Sequence, residues 1–208
     1  MKQPNITIVD YGVGNTQSVF NAINALGYRK LKISSKVEDI IDADALILPG
    51  VGAFEACANR LREGRLNNFL NEAVLVRHTP ILGICVGMQL MSTISEENGV
   101  HAGLDWIPGQ VVKLELPEDF AVPHVGWNNI HQCGEDILFS RIYGSPNFYF
   151  DHSYHYQCDP DFVTAVCDYG ISVTAAIRKD HIHGVQFHPE KSQNNGLKIF
   201  RSFFNAIR

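Results

Sequence analysis

The feature that most constrains the fold is a single cysteine held between two glycines, where an apolar run gives way to a helical pattern. The stretch reads PILGICVGMQL over residues 80–90. A sharp turn from strand to helix needs small residues at Gly83 and Gly87, because a side chain there would collide with the neighbouring backbone. Such a turn exposes the sulfur of Cys85 above the sheet, beside N–H groups that favour a thiolate. The pattern therefore predicts a nucleophile elbow that carries cysteine instead of serine.

A second motif near the C-terminus supplies what a nucleophilic cysteine needs. A lone Gly-x-Cys-x-Gly is a weak signal, since most cysteines are buried small hydrophobic residues. The later run GVQFHPE, residues 184–190, ends in a histidine and a carboxylate two residues apart. His188 can act as a general base near neutral pH, and Glu190 can hold its other ring nitrogen. We therefore predict that Cys85, His188 and Glu190 form a catalytic triad of nucleophile, base and orienting acid.

These two motifs resemble those of the class I, triad-type glutamine amidotransferases, and the resemblance covers essentially the whole chain. Three further stretches, DYGVGN (10–15), PGVGAF (49–54) and PHVGWN (123–128), are similar to the HisH subfamily, the glutaminase subunits of imidazole glycerol phosphate synthase. The resemblance implies an α/β fold in one domain over residues 1–208. Its mostly parallel central sheet would be flanked by helices and extended by antiparallel strands. It also implies hydrolysis of glutamine through a cysteine thioester, without a cofactor, and delivery of ammonia to a HisF-type cyclase in a heterodimer.

The resemblance also implies roles for residues outside the triad. It places the oxyanion hole at Val51, Gly52 and Val86. It assigns glutamine binding to Gln89, Glu97 and Ser153. It assigns the partner interface and ammonia passage to Asn15, Tyr149, Pro123, His124, Trp127 and Lys191. The residues themselves support two of these roles. Glycines beside a proline at a strand end expose N–H groups that can bind an oxyanion, and Gln89 lies one helical turn beyond Cys85.

Hydrophobic periodicity predicts the main elements of secondary structure. Strands are expected at residues 6–10, 31–33, 45–48, 111–114, 148–150 and 163–166. Helices are expected at residues 16–26, 37–41, 54–76 with an interruption at Gly64, 87–93 and 197–207. The segment 191–196 is expected to be a turn, and the PHVGWN motif a loop. The last helix should bury Ile199, Phe200, Phe203 and Phe204.

Composition excludes several other classes of protein. The chain has 208 residues, of which 45% are hydrophobic and 19% charged, with a net charge of −5 and no long basic run. Nucleic acid is therefore not expected as a partner, since phosphate binding needs clustered positive charge. No apolar run approaches the roughly 20 residues of a membrane span. The N-terminus lacks the apolar segment of a signal peptide, and five unevenly spaced cysteines do not form a disulfide framework. These features predict a cytoplasmic, reduced protein.

Some observations leave alternatives open. Asp151 stands where the HisH pattern has a small apolar residue, so a HisH-like paralogue that supplies ammonia to a surface-sugar amidotransferase is an alternative. A class I subunit for anthranilate or carbamoyl phosphate is disfavoured by PHVGWN, and a non-enzymatic binding module by the intact triad. Histidines could also bind zinc, through His152 and His155 or through His181, His183 and His188. No cysteine or acid completes a recognisable zinc spacing, so no metal site is predicted.

Overall fold

The centre of the molecule is a sheet whose inner strands are buried along their whole length. In the computed structural model, which describes residues 3–207, every residue of Ala45–Gly50 and Ile81–Cys85 is buried. Continuous apolar runs of this kind are typical of parallel strands covered on both faces. The strands in chain order are β1 (Ile6–Val9), β2 (Leu31–Ser34), β3 (Ala45–Gly50), β4 (Ile81–Cys85), β5 (Ile94–Ser95), β6 (His101–Ala102), β7 (Gly109–Lys113), β8 (His124–Asn129), β9 (His131–Gln132), β10 (Asn147–His152), β11 (Tyr154–Cys158), β12 (Val163–Asp168), β13 (Ser172–Lys179) and β14 (Ile182–Val185).

Helices of very different length cover the sheet. They are α1 (Thr16–Ala25), α2 (Val37–Ile41), α3 (Phe54–Glu63), α4 (Leu66–Asn71), α5 (Val86–Gln89) and α6 (Gln193–Ala206). A π-helical turn spans Glu72–Val76, and 3₁₀ turns span Ile137–Phe139, Pro160–Phe162 and Pro189–Lys191. Helix α6 buries Ile199, Phe200, Phe203 and Phe204, as its periodicity predicts. Among residues 3–207, no helix combines the length and apolar character that a membrane crossing requires.

The topology of the sheet confirms the predicted α/β fold. The large sheet has the order β2-β1-β3-β4-β14-β13-β12-β9; its first five strands are parallel and the last three are added antiparallel. Two small sheets, β10-β8 and β11-β7-β5-β6, complete the fold. Strand β4 lies between β3 and β14, with Gly50 opposite Cys85 and Val185 opposite Ile84. The chain segments that follow these three strands therefore meet at one edge of the sheet, where open α/β sheets bind ligands.

Three predicted helices differ from those observed. Helix α5 ends at Gln89 and does not reach Thr93, because the carbonyl groups of Leu90 and Met91 accept hydrogen bonds from the N–H groups of residues 104, 106 and 107. The region 54–76 is divided into two helices and a π-helical turn, with a break at Arg65 in a left-handed conformation (φ 55°). Helix α6 begins at Gln193, within the predicted turn, because its first residues are polar and the apolar periodicity starts only at Leu197.

The PHVGWN motif is the fourth difference. The predicted loop is strand β8, which pairs antiparallel with β10 from His124 opposite His152 to Asn129 opposite Asn147. Side chains alternate between the two faces of a strand. His124 is therefore buried, whereas Val125 and Trp127 are 53% and 45% exposed.

Candidate active site

Cys85 is the last residue of β4 and has a backbone conformation that few non-glycine residues adopt. Its φ of 55° and ψ of −114° carry the chain directly from the strand into α5. A Cβ at Gly87 would overlap the carbonyl oxygen of Leu48, and a Cβ at Gly83 would lie 2.7 Å from the carbonyl oxygen of Gly87. Both glycines are thus required by the close approach of β3, β4 and α5. The turn has the geometry of a nucleophile elbow.

His188 and Glu190 form a buried pair at the end of β14. Nδ1 of His188 lies 2.8 Å from Oε1 of Glu190, and the two side chains are 3% and 1% exposed. Burial alone would lower the pKa of His188, but the interactions with Cys85 and Glu190 raise it to about 10. The imidazole is therefore protonated at neutral pH. Because Nδ1–H donates to Glu190, the remaining ring nitrogen, Nε2, is available to a reacting group.

The main chain of His188 is held by a serine that the sequence did not single out. The N–H of His188 donates to the carbonyl oxygen of Tyr149 at 2.9 Å. The hydroxyl of Ser192 donates to the carbonyl oxygen of His188 at 2.6 Å and accepts from the N–H of Tyr149 at 3.0 Å. These bonds fasten the segment after β14 to β10 and fix the position of the imidazole.

Two further groups contact the sulfur of Cys85. The carbonyl oxygen of Asp151 lies 3.8 Å from Sγ, and Nε2 of Gln186 lies 3.7 Å from it. Gln186 also accepts from Gln89 at 3.0 Å, and Gln89 donates to the carbonyl oxygen of Tyr154 at 2.9 Å. Gln186 was not predicted as a site residue. Its position two residues before His188 was the available signal, since extended chain places such side chains on one side.

A cavity of about 280 Å³ opens beside the sulfur. It brings together two members of the predicted triad, all three predicted oxyanion residues and all three predicted glutamine-binding residues. Pro123 and Lys191 also reach it from the predicted interface set. The lining residues are Val51, Gly52, Cys85, Val86, Gln89, Glu97, Pro123, Asp151, His152, Ser153, Tyr154, His188 and Lys191. Glu190 lies behind His188, outside this lining.

Two backbone N–H groups beside the cavity are free to bind an oxyanion. Within residues 3–207, the N–H of Gly52, which lies outside the helices and strands, donates to no backbone acceptor. Val86 is the first residue of α5, where a backbone N–H has no acceptor within the helix. Such donors can stabilise negative charge on an oxygen that reacts with Cys85. Glu97 is tied to the same region, since its Oε2 accepts from the N–H of Phe54 at 2.7 Å.

The predicted interface residues divide into two groups. Trp127, Tyr149 and Lys191 form a contiguous set: the rings of Trp127 and Tyr149 lie 6.2 Å apart, and Nζ of Lys191 lies 5.1 Å from the Tyr149 ring centre. Nζ of Lys191 also lies 3.8 Å from a carboxylate oxygen of Asp151. Asn15 lies in the turn before α1, away from the cavity lining.

His124, which was predicted to belong to the partner interface or ammonia passage, is buried. It is 2% exposed and stacks between Phe150 and Tyr169, with ring centres 4.7 and 3.8 Å away. Its Nδ1 lies 3.1 Å from Nε2 of His152, and Nδ1 of His152 lies 2.9 Å from the carbonyl oxygen of Tyr154. The carbonyl can only accept, so His152 donates from Nδ1 and accepts from His124.

Burial keeps both of these histidines neutral. It lowers the pKa of His152 to about 3 and that of His124 to about 4.

Within the described part of the chain, no group of three or more histidine, cysteine or acidic side chains is arranged to hold a metal ion.

The chain matches the family model described as "Glutamine amidotransferase class-I" over residues 7–207. It is 44% identical to "Imidazole glycerol phosphate synthase subunit HisH 2" of Vibrio vulnificus, across 98% of this chain and 95% of the relative. It is 42% identical to the subunit of the same name in Pseudomonas aeruginosa, across 97% of this chain and 100% of the relative. The Archaeoglobus fulgidus "Imidazole glycerol phosphate synthase subunit HisH" is 40% identical, across 98% and 99%.

Solved structures share the fold at lower identity. A structure described as a glutamine amidotransferase superimposes with a TM-score of 0.75 at 16% identity, across 97% of each chain. The structure described as PurLQS from Thermotoga maritima gives a TM-score of 0.70 at 16% identity, across 100% of each chain. At these identities the likeness concerns the fold alone.

Proposed function

Because the chain belongs to the class I glutamine amidotransferases, and within them to the HisH subunits of imidazole glycerol phosphate synthase, we propose that it hydrolyses glutamine and passes the ammonia to a HisF-type cyclase. The cyclase would use the ammonia to form imidazole glycerol phosphate and an aminoimidazole carboxamide ribotide in histidine biosynthesis. The observation that carries the proposal is the buried His188–Glu190 pair beside the cavity that the elbow cysteine opens into.

The first half of the reaction forms a thioester. The sulfur of Cys85 attacks the side-chain amide carbon of glutamine, and the carbonyl oxygen becomes an oxyanion held by the N–H groups of Gly52 and Val86. When the carbon–nitrogen bond breaks, the imidazolium of His188 gives its proton to the departing nitrogen, which leaves as ammonia. The pKa of about 10 keeps that proton available at neutral pH.

The second half releases glutamate. Neutral His188 takes a proton from water as the water oxygen attacks the thioester carbon. The second tetrahedral oxyanion uses the same two N–H groups, and its collapse expels the sulfur of Cys85. His188 is again protonated and paired with Glu190, so the site returns to its starting state. Gln89, Glu97 and Ser153 lie on the cavity wall, where they can hold the rest of the glutamine molecule.

A partner is proposed at the mouth of the cavity. Ammonia in water at neutral pH is mostly protonated and no longer nucleophilic, so it is best transferred through a dry contact. Val51 lines the cavity and is 39% exposed, and further exposed apolar side chains lie next to lining residue Pro123 and on β8: Val122 is 40% exposed, Val125 53% and Trp127 45%. A patch of this kind marks a protein-binding surface, and an aromatic anchor suits its centre. Both subunits would be cytoplasmic.

The alternative acceptor rests on Asp151. This residue lines the cavity and pairs with Lys191, so it could influence which synthase binds. The relatives from Vibrio vulnificus, Pseudomonas aeruginosa and Archaeoglobus fulgidus are named as subunits of imidazole glycerol phosphate synthase, and they do not favour a surface-sugar amidotransferase.

Glutamate release should be measured for the chain alone and with a HisF-type cyclase plus its ribulosyl substrate. We expect strong stimulation by the cyclase and its substrate. The Cys85→Ala variant should bind the cyclase but lose glutamine-dependent product, while ammonium salts should still support synthesis. A Cys85→Ala protein with unchanged glutaminase activity would contradict the chemistry. An active chain that no HisF-type cyclase stimulates would contradict the partner.

A further inference from the structure

The backbone of residues 49–54, from the end of β3 to the start of α3, is fastened by side chains from three parts of the chain. The hydroxyl of Tyr11 donates to the carbonyl oxygen of Pro49 at 2.6 Å. The thiol of Cys57, on α3, donates to the carbonyl oxygen of Val51 at 3.4 Å. The carboxylate of Glu97 accepts from the N–H of Phe54 at 2.7 Å. The backbone of residues 49–54 is thus held at its start, at its middle and at its end.

The hydrogen bond from Cys57 acts on the peptide bond between Val51 and Gly52, two residues that line the cavity. A trans peptide is planar, so its carbonyl and its N–H point in opposite directions. The Val51 carbonyl points at Cys57, and the Gly52 N–H therefore points away from it. Gly52 has a φ of 84°, and nothing lies within 4 Å of the position where its Cβ would be. Glycine carries no side chain and tolerates positive and negative φ, so the backbone preference of Gly52 does not fix the orientation of this peptide.

Cys57 is suited to be a permanent donor. It is fully buried, and it does not line the cavity. Burial raises its pKa to about 11, so the sulfur keeps its proton at neutral pH. A protonated thiol is a weak hydrogen-bond donor, and here it has the Val51 carbonyl oxygen as its acceptor.

We propose, on the basis of the function proposed above, that Cys57 is a positioning residue for the oxyanion hole. Its thiol holds the Val51 carbonyl away from the cavity and so keeps the Gly52 N–H free for the oxyanion. With the thiol removed, the peptide rotates more readily, and a carbonyl dipole facing the cavity repels the charge that develops there. Cys57 touches no reacting atom and acts through the 51–52 peptide.

The effect should lie in turnover and not in glutamine binding. Deleting an oxyanion donor outright costs on the order of a hundred- to a thousandfold in kcat. Loosening its orientation costs less, and we expect Cys57→Ala to lower kcat about tenfold with little change in KM. Cys57→Ser keeps a donor at the same position and should recover most of the loss.

Two probes separate the oxyanion hole from general damage. Glutamate γ-semialdehyde adds to the Cys85 sulfur and places its oxygen in the hole, so its affinity should fall in Cys57→Ala by about the same factor as kcat. Iodoacetamide alkylates the same sulfur without forming an oxyanion. Its rate at Cys85, followed on the Cys85 peptide by mass spectrometry, should not change.

Cys167→Ala is the matched control. Cys167 is also fully buried, on β12, and does not line the cavity. This variant should lose comparable thermal stability and keep wild-type kcat. If Cys57→Ala folds poorly, Cys57→Val fills the space without a donor and should show the same loss of kcat.

Wild-type kcat in Cys57→Ala, or an equal loss in Cys167→Ala, would overturn the inference and leave the proposed function intact. A wild-type protein without glutaminase activity, with or without the cyclase, would remove both.

Discussion

His188 and His152 line the same cavity, at 2% and 6% exposure, yet their pKa values are shifted in opposite directions. His188 has a pKa raised to about 10, whereas His152 has one lowered to about 3. The ring of His188 meets a carboxylate at 2.8 Å. The ring of His152 meets a carbonyl oxygen and the neutral ring of His124.

The difference shows that burial alone does not determine charge at this site. Removal from water disfavours the charged form of every imidazole, and only a nearby anion reverses the outcome. Glu190 supplies that anion from inside the protein. Its second oxygen, Oε2, has no hydrogen-bond partner among the described residues, so His188 is the partner that its side chain contacts. The interactions with Cys85 and Glu190 therefore distinguish His188, a proton donor, from His152, a neutral structural ring.

Replacing Glu190 should produce the largest change in the difference between His188 and His152. In Glu190→Gln the pKa of His188 should fall toward that of His152, and the wrong ring tautomer becomes accessible. We expect kcat for glutamine hydrolysis to fall about a thousandfold, as measured by glutamate release.

Asp136→Asn is the matched control. Asp136 is also a buried acid near a histidine, with Oδ1 3.8 Å from Nδ1 of His183, but neither residue lines the cavity. Its substitution should leave kcat within about twofold of wild type. Equal losses in both variants would show that the effect of Glu190 is not specific to the site.

The pH dependence of stability should also distinguish these histidines, because His188 contributes with one sign and His152 and His124 with the other. His188 binds its proton more tightly when folded than when unfolded, where its pKa is 6.5. Its contribution is therefore complete below pH 6.5 and is lost as the pH rises through about 10. His152 and His124 bind protons more weakly when folded, so their contribution is present above pH 6.5 and is lost as the pH falls toward about 4 for His124 and about 3 for His152.

Melting temperatures measured between these limits should reveal both effects. The double variant His188→Gln, Glu190→Gln should flatten the alkaline decline, and His124→Gln should flatten the acid decline. If either decline kept its wild-type slope in the corresponding variant, the assignment of that histidine would be wrong.

The smallest effect is expected for Asp151, an exposed acid that lines the same cavity. Asp151 pairs with Lys191 at 3.8 Å, and the two side chains are 46% and 38% exposed. Water screens such a pair, so Asp151→Asn should change the free energy of unfolding by less than about 1 kcal/mol. Glutaminase activity without a partner should change by less than about twofold. A tenfold loss of kcat without the cyclase would place Asp151 among the groups that act on glutamine itself.

The sequence was sufficient for the parts of the site that are close together in the chain. The glycines around Cys85 and the spacing of His188 and Glu190 express local backbone geometry, and that geometry can be read from a short motif. The structure places these segments together because β3, β4 and β14 are neighbours in the sheet.

Contacts that depend on tertiary packing could not be predicted from the sequence. Ser192 lies between the 3₁₀ turn Pro189–Lys191 and α6, and this turn, which no periodicity announces, brings its hydroxyl to His188 and Tyr149. His124 is buried because the PHVGWN motif pairs with β10 as a strand, and only that register decides which of its side chains face inward. The contact of Cys57 with Val51 likewise depends on how α3 begins after the 49–54 loop.

The most direct measurement is rapid acid quenching of the protein, bound to a HisF-type cyclase, during glutamine turnover, followed by mass spectrometry of the Cys85 peptide. A γ-glutamyl adduct on Cys85 should appear before glutamate does, and it should accumulate at the rate of the first ammonia release. Glutamate formed at the full rate with an unmodified Cys85 peptide, and formed equally by Cys85→Ala, would contradict the thioester mechanism.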